Sequence, residues 1–201
     1  MDGKTSYALE GSIFVAGAAI QWLRDGLRII EQSSDTEDLI ETLESNGGVY
    51  MVPAFTGLGA PHWDPAARGA VFGLTRDSGR AHFVRAAVES VAYQTSDLLG
   101  AMAKDGVDLS SLRVDGGMTH NKWMVQYLAD ILDLPIERPQ IVETTALGAA
   151  FLVGLQAGVY KNLTEVANVW KRKDAFTPSM DTKTRETHLK TWQGYVKKVL
   201  T

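Results

Sequence analysis

The chain has 201 residues, of which 45% are hydrophobic and 22% charged, which is typical of one globular domain with a sizeable core. Its formal net charge of −4 argues against a surface for nucleic acid. The absence of cysteine excludes disulfides, thiolate metal sites and cysteine nucleophiles. The sequence has no apolar run of membrane-spanning length, and residues 1–6 do not begin a signal peptide, so it predicts a cytoplasmic protein.

Hydrophobic periodicity divides the chain into alternating strands and helices. Short apolar runs predict buried strands, and apolar residues three or four apart predict helices. The first third of the chain is predicted to contain a strand end at 7–10, a helix over 13–30 capped by Ser12, a helix over 35–44 capped by Ser34 or Asp35, a strand at 49–53 and a long loop over 54–68. A strand at 69–75, a helix over 80–104 capped by Asp77 or Ser78, a strand at 112–115, a helix over 119–132 and a strand at 134–138 follow. The last predicted elements are a helix capped by Thr144 or Thr145 and running to about 157, a helix over 162–170, a linker at 175–180 and a helix over 181–200. This order predicts an α/β sandwich with a mixed or parallel sheet.

A glycine pair, Gly116-Gly117, lies between a predicted strand and a predicted helix. Two residues without Cβ at the turn let a flat ligand lie against the main chain. The helix that follows aims free N–H groups and a partial positive charge at this turn, which suits a nucleotide. A glycine pair is also common in simple tight turns, so both interpretations stay open. Asn121 projects from the first helical turn, where it caps the helix or reaches a ligand on Gly117.

The other positions that stand out in the sequence each have an ordinary structural interpretation. Gly17 and Gln21 lie one helical turn apart, where the glycine allows close packing and the glutamine faces water. His62 lies in the long loop without a second metal ligand at useful spacing. Gln94 falls on the apolar side of its helix and is expected to form internal hydrogen bonds. Small residues in the helix that ends near 157 predict close packing against a sheet or another helix.

Two segments in the middle of the chain form a recognisable pair: Gly69-Ala-Val-Phe-Gly-Leu74 is followed, after seven residues, by His82-Phe-Val-Arg-Ala-Ala-Val-Glu89. This pair resembles the second signature of the FGGY family of carbohydrate kinases, and the chain resembles in particular the members that phosphorylate glycerol. The resemblance covers residues 7 to about 163, and the last forty or so residues match more loosely. Five further segments carry it: Tyr7-Ala-Leu-Glu-Gly11, Ile20-Gln-Trp-Leu-Arg-Asp25, Val52-Pro-Ala-Phe-Thr-Gly-Leu-Gly-Ala-Pro61, Val114-Asp-Gly-Gly117 and Thr145-Ala-Leu-Gly-Ala149.

The resemblance implies a ribonuclease-H-like, actin-like ATPase domain with a mixed sheet flanked by helices and truncated at its first strand. Family members have two such domains facing a cleft. The second domain holds ATP, and the first supplies most of the glycerol pocket and the catalytic carboxylate. The chain resembles the second domain alone, with a nucleotide-binding part over 1–163 and a helical extension over 164–201. The resemblance therefore implies neither a catalytic residue nor a metal ligand within the chain, and little or no activity of the chain by itself.

By similarity, Gly17 and Gln21 contact ATP from the first helix, Gly117 lies beneath the adenosine, and Asn121 forms a hydrogen bond to it. The implied cosubstrate is ATP or ADP with Mg²⁺. Glycerol is expected to bind through the missing N-terminal domain, in a parent enzyme that is a homo-oligomer. Asp115 is interpreted as orienting the glycine turn. Thr184 stands where some bacterial relatives have a glutamate that docks a phosphocarrier, so that form of control is not expected.

Three alternatives remain at this point. The chain could belong to a family member that acts on another polyol or sugar. It could also be a non-catalytic module that uses an open sheet edge near 7–10 and the loop 54–68 to pair with a separately encoded partner. A dinucleotide-binding oxidoreductase is disfavoured, because Gly-x-Gly-x-x-Gly does not follow any predicted strand.

Overall fold

The computed structural model describes residue 5 and residues 7–107 and 109–201. Residues 1–4 and 6, where the first predicted domain begins, lie outside the described residues. The elements are α1 (Gly17–Gln21, continued by a π-helical turn, Trp22–Gly26), α2 (Asp35–Glu41), β1 (Tyr50–Val52), β2 (Ala70–Phe72), α3 (Arg80–Lys104), β3 (Leu112–Arg113), a 3₁₀ turn (Gly117–His120), α4 (Lys122–Leu132), β4 (Ile136–Pro139), α5 (Thr144–Gln156), α6 (Leu163–Ala167), β5 (Arg172–Phe176) and α7 (Thr182–Val199).

In the part of the chain that the structure describes, the strands form two small sheets. Strands β1 and β2 pair antiparallel, with Met51 opposite Val71. In the second sheet β4 is central, parallel to β3 and antiparallel to β5, with an irregularity in the ladder at Arg138 and Pro139. The predicted mixed sheet is therefore confirmed.

Helix α3 lies at the centre of the molecule and packs against α1, α2, α4 and β1. Its apolar residues repeat at helical spacing over 25 residues and form a long apolar stripe, which is large enough to pack against several other elements. The largest fully buried hydrophobic side chains are those of Leu23, Ile40, Val49, Met51, Val52, Val84, Val88, Tyr93, Ile131, Ile136 and Trp192.

The first predicted helix is too long. Residues 13–16 are not helical, because the main chain there bonds to other elements: the Gln94 side chain donates to the Val15 carbonyl, and Ala60 N–H donates to the Ser12 carbonyl. The helix and its π turn end at Gly26, and Arg28 has a positive φ of 56°. The predicted strand end at 7–10 is also wrong, since Tyr7 is 94% exposed and these residues form no strand.

Two further sequence predictions need correction. The helix predicted from Thr119 begins at Lys122, because Thr119 turns back and donates both its N–H and its hydroxyl to the Gly116 carbonyl. Strand β5 overlaps the predicted linker and was missed, since its charged sequence lacks an apolar alternation. It is held by pairing to β4 and by the ion pair of Arg138 with Asp174. The division of the chain at residue 163 stays a prediction.

Helix α5 packs closely at one of its two glycines and not at the other. Gly154 is buried, and a Cβ added there would lie 2.8 Å from the Tyr160 ring just beyond the helix. A Cβ added at Gly148 would meet no atom of the described residues within 4 Å, and Leu152 and Val153 are 56% and 67% exposed. Within the described residues, no helix is both long and apolar enough to cross a bilayer.

Candidate functional site

A cavity of about 640 Å³ opens between α1, the start of α2 and the turn before α4. All four residues that the family resemblance singles out line it: Gly17, Gln21, Gly117 and Asn121. The structure thus brings together residues that are as far as 104 positions apart in the sequence (121 − 17). The remaining lining residues are Ile20, Arg24, Ser33, Ser34, Thr36, Glu37, Val88, Met118, His120 and Met124.

The glycine pair combines a backbone requirement with open space. Gly116 has a φ of 83°, a conformation that side chains rarely adopt, and its N–H donates to the Val142 carbonyl ahead of α5. Gly117 does not need a positive φ, and a Cβ added there would meet no atom of the described residues within 4 Å. The missing side chain of Gly117 therefore leaves space in the cavity, whereas that of Gly116 permits the turn.

Close packing does not explain Gly17. A Cβ added at Gly17 would lie 3.7 Å from Met118 Sδ, which is an ordinary van der Waals contact. Gln21, one turn further along α1, also borders the cavity. Ile20, Met118 and Met124 provide apolar surface between these polar positions, as expected for a pocket that accepts a flat, partly apolar ligand.

Asn121 is the N-cap of α4. Its Oδ1 accepts a hydrogen bond from Met124 N–H at 2.7 Å. Its amide nitrogen donates to Thr36 Oγ1 at 3.1 Å, and the buried Thr36 hydroxyl donates in turn to the Ser33 carbonyl at 2.7 Å. This chain of hydrogen bonds fixes the position of the amide. Among the described residues, the amide nitrogen donates to Thr36 alone, although it carries two hydrogens.

The free N–H groups expected at the start of the helix after the glycine pair, α4, are already paired, so that expectation is wrong. Glu37, on α2, accepts from Lys122 N–H at 2.9 Å and from Trp123 N–H at 3.1 Å through the same carboxylate oxygen. Asn121 takes the N–H of Met124. The first turn of α4 therefore presents a protein carboxylate, and not free donors, beside the cavity.

Charge around the cavity is mixed. The Arg24 guanidinium is bonded to the neighbouring Asp25 at 2.7 and 2.8 Å, which holds the pKa of that carboxyl below its usual range. The same hydrogen bond raises the pKa of Arg24. Glu37 contributes negative charge and His120 an imidazole ring. Asp115 is not among the lining residues, and its orienting role stays a prediction. Among the residues that the structure describes, no three His, Cys, Asp or Glu side chains come together as a metal site.

Sequence reasoning missed Thr36 and Glu37. Both lie at the start of α2 and act through contacts to residues 85 positions further along the chain. An acidic residue in a first helical turn normally serves its own helix, so the sequence offered no signal that Glu37 caps another one.

Comparison with known proteins identifies relatives along the whole chain. Residues 1–157 match the C-terminal domain of the FGGY family of carbohydrate kinases. A glycerol kinase of Rhodospirillum centenum is 61% identical over 98% of the chain, and the match covers 40% of that relative. A glycerol kinase of Rhizobium meliloti is 57% identical over 100% of the chain and 41% of its own length. The chain thus spans about two fifths of the length of these relatives.

Solved structures give the same picture for the fold. The crystal structure of Plasmodium falciparum glycerol kinase with ADP superposes with a TM-score of 0.84 at 36% identity, over 95% of the chain and 38% of that protein. This likeness confirms the expected ribonuclease-H-like, actin-like fold.

Proposed function

Because the chain belongs to the FGGY family of carbohydrate kinases, we propose that it is the C-terminal, nucleotide-binding half of a glycerol kinase. Such an enzyme transfers the γ-phosphoryl group of ATP to glycerol and yields ADP and glycerol 3-phosphate. The observation that carries the proposal is the cavity that Gly17, Gln21, Gly117 and Asn121 line together. The glycerol kinase of Plasmodium falciparum was crystallised with ADP, which supports a nucleotide as the ligand.

In this proposal the chain binds and orients the adenosine part of the cosubstrate. Gly117 offers bare backbone against which the flat ligand lies, and Met118 and Met124 contribute apolar contact. The second amide hydrogen of Asn121 donates to the nucleoside. Gln21 adds a polar group from the opposite element.

The chemical step needs parts that this proposal assigns to the other half of the enzyme. Phosphoryl transfer to an alcohol requires an in-line hydroxyl, Mg²⁺ on the phosphates and a carboxylate that accepts the proton. Mg²⁺ enters with the nucleotide, because it prefers phosphate oxygens and water to a cage made only of protein groups. The catalytic carboxylate and most of the glycerol pocket lie in the N-terminal half. We also propose, from the family resemblance, that the parent enzyme is a cytoplasmic homo-oligomer.

Calorimetry and a coupled assay test this division of roles. We expect the 201-residue chain to bind ADP and Mg-ATP weakly, because only one wall of the interdomain cleft is present. We expect no glycerol 3-phosphate from the chain with Mg-ATP and glycerol. Absence of nucleotide binding would contradict the proposed site, and measurable turnover of glycerol would contradict the assignment of catalysis to the other half.

A related kinase acting on another sugar is the closest competitor. Xylulose kinase from Lactobacillus acidophilus shares the fold, with a TM-score of 0.76, but only 24% identity. The much higher identity to glycerol kinases favours glycerol. Joining the chain in turn to the N-terminal half of a glycerol kinase and to that of a xylulose kinase distinguishes the two, because only the half with the matching interdomain surface should restore phosphoryl transfer to its own acceptor.

The exposed surface also supports a second candidate function, a module that pairs with a separately encoded half. Leu112 N–H donates to the Pro135 carbonyl just before β4 and Val114 N–H to the Glu137 carbonyl on β4, so the N–H and C=O of Arg113 point to the opposite edge of the sheet. The apolar residues Leu152 and Val153 of α5 and Trp63 of the long loop are exposed as well. Size-exclusion chromatography of the chain alone tests this candidate, and a clean monomer counts against it.

A further inference from the structure

The start of α4 carries a carboxylate that does not belong to its own helix. Glu37 reaches from α2, and one of its oxygens accepts from the first two N–H groups of α4, at 2.9 and 3.1 Å. The third N–H is taken by Asn121. Both Glu37 and Asn121 line the cavity.

A helix N-terminus binds a phosphate through free N–H groups and the positive end of the helix dipole. Neither is available at α4, because the three donors are paired and the negative charge of Glu37 offsets the partial positive charge. A phosphate group placed here would also meet the repulsion of that carboxylate. This side of the cavity therefore suits an uncharged group that forms hydrogen bonds.

We propose that Glu37 is a positioning residue that sets the direction of the bound nucleotide. By occupying the start of α4, it excludes the phosphate chain and leaves the nucleoside to lie against Gly117 and Asn121. The phosphates then point away from Glu37. This inference rests on the proposed function, since it assigns an orientation to the nucleotide in the same cavity.

Glu37 also joins α2 to α4, and this structural role needs only a hydrogen-bond acceptor at that position. The proposed positioning role needs the negative charge of the carboxylate as well. Glu37→Gln keeps an acceptor oxygen and removes the charge, whereas Glu37→Ala removes both. Asp38→Asn is the matched control, because it makes the same change of charge at an exposed neighbouring position on α2.

The experiment titrates the wild-type chain and the three variants with adenosine, ADP and inorganic pyrophosphate by calorimetry. We expect the wild type to bind adenosine and ADP and to bind pyrophosphate negligibly. In Glu37→Ala the freed N–H groups should bind pyrophosphate at least about tenfold more tightly, in competition with adenosine. In Glu37→Gln the gain should be about threefold, because only the repulsion is gone. Added salt should weaken the new binding, and Asp38→Asn should behave as the wild type.

Each outcome decides a separate point. If the wild type binds neither adenosine nor ADP, the nucleotide function falls, and the role of Glu37 falls with it. If it binds both but neither Glu37 variant gains affinity for pyrophosphate, the positioning role alone is overturned. Should Glu37→Ala fail to fold, as judged by circular dichroism, the Glu37→Gln result decides: a wild-type response to pyrophosphate would overturn the positioning role.

Discussion

At the scale of single residues, Asn121 combines a structural and a proposed binding role in one amide. Its oxygen caps α4 and its nitrogen is fixed by Thr36. A variant that weakens ligand binding could therefore act through the helix alone. The two roles separate only if the cap is kept while the donor is removed.

Asn121→Ala should lower the free energy of unfolding by about 1 kcal/mol, the usual cost of a lost N-cap. Asn121→Asp should recover part of this loss, because its carboxylate accepts from Met124 N–H in the same way. It should still bind ADP less tightly than the wild type, since it cannot donate a hydrogen bond. Urea unfolding and ADP calorimetry on both variants measure the two effects. Wild-type stability in Asn121→Ala would show that the cap contributes nothing.

At the scale of elements, α3 carries a buried polar cluster where it meets α4, α7 and β1. The Glu89 side chain is fully buried and accepts from Arg85 Nε at 2.8 Å, from Asn46 Nδ2 at 3.0 Å and from the Tyr93 hydroxyl at 3.2 Å. Burial, followed by the nearby Glu89 carboxylate, raises the pKa of Tyr93 far above its ordinary value. The cluster stays hydrogen-bonded throughout, as a buried polar group requires.

His188 of α7 contributes the titratable ring of this cluster. Its Nδ1 lies 2.7 Å from the Tyr50 hydroxyl and 3.3 Å from that of Tyr93. Burial lowers the pKa of His188 below 6.5; the Glu89 carboxylate opposes this shift and Arg85 adds to it. The folded protein therefore holds His188 neutral at pH values where the unfolded chain is already protonated.

This depressed pKa predicts a loss of stability in acid. Between the folded and unfolded pKa values the unfolded chain binds more protons, so the free energy of unfolding rises with pH. The stabilising contribution is fully present above pH 6.5 and falls as the pH drops below it. His188→Asn keeps an acceptor and cannot be protonated, so its urea midpoint should change less between pH 7.5 and about pH 5. The exposed His120→Asn control should retain the wild-type change, and equal changes in all three proteins would contradict the assignment to His188.

The elements differ in how far sequence could predict them. The bounds of α3 were predicted at both ends, because its apolar period continues unbroken over about seven turns. Strand β5 was missed, because its pairing with β4 is a long-range feature that its charged residues do not signal. The start of the first helix was predicted too early for the same reason, since the hydrogen bond from Gln94 to the Val15 carbonyl is a long-range contact.

The four residues were predicted to form one site only through the family resemblance. From the residues alone, Gly117 and Asn121 were left open as either a ligand platform or a plain turn and helix cap. Gly17 and Gln21 had only an ordinary structural interpretation, and nothing local indicated that they share a cavity with the glycine turn. Family resemblance could not supply Glu37 either, because its role depends on the way α2 meets α4. The binding roles of Gly17, Gln21, Gly117 and Asn121 stay predictions.

At the scale of the whole molecule, the exposed surface is uneven. The cavity and core lie around α3, whereas α5 presents apolar side chains to solvent at Leu152 and Val153. Within the described residues, the sheet of β3, β4 and β5 ends at β3, where the main-chain groups of Arg113 face away from β4. Exposed apolar residues and an open strand edge are each typical of a surface that associates with other protein.

The isolated chain should therefore bind a hydrophobic dye and self-associate as its concentration rises. Replacing Leu152 and Val153 together by Gln should reduce both effects and leave the thermal midpoint within a few degrees, because these side chains are largely exposed. Lys190→Gln, at an exposed position of α7, is the control and should change neither. Unchanged dye binding in the double variant would show that α5 is not the responsible surface.

The central claim is that the cavity beside the glycine turn holds the nucleotide, and a titration of Gly117→Val with ADP tests it most directly. A Cβ added at Gly117 would meet no atom of the described residues within 4 Å, so the variant should fold as the wild type while its isopropyl group fills the ligand space. Gly100→Val is the control, because that position on α3 also offers open space and does not line the cavity. We predict that ADP binding is lost or reduced at least tenfold, about 1.4 kcal/mol, in Gly117→Val and is unchanged in Gly100→Val. Wild-type affinity for ADP in a folded Gly117→Val chain would contradict the account.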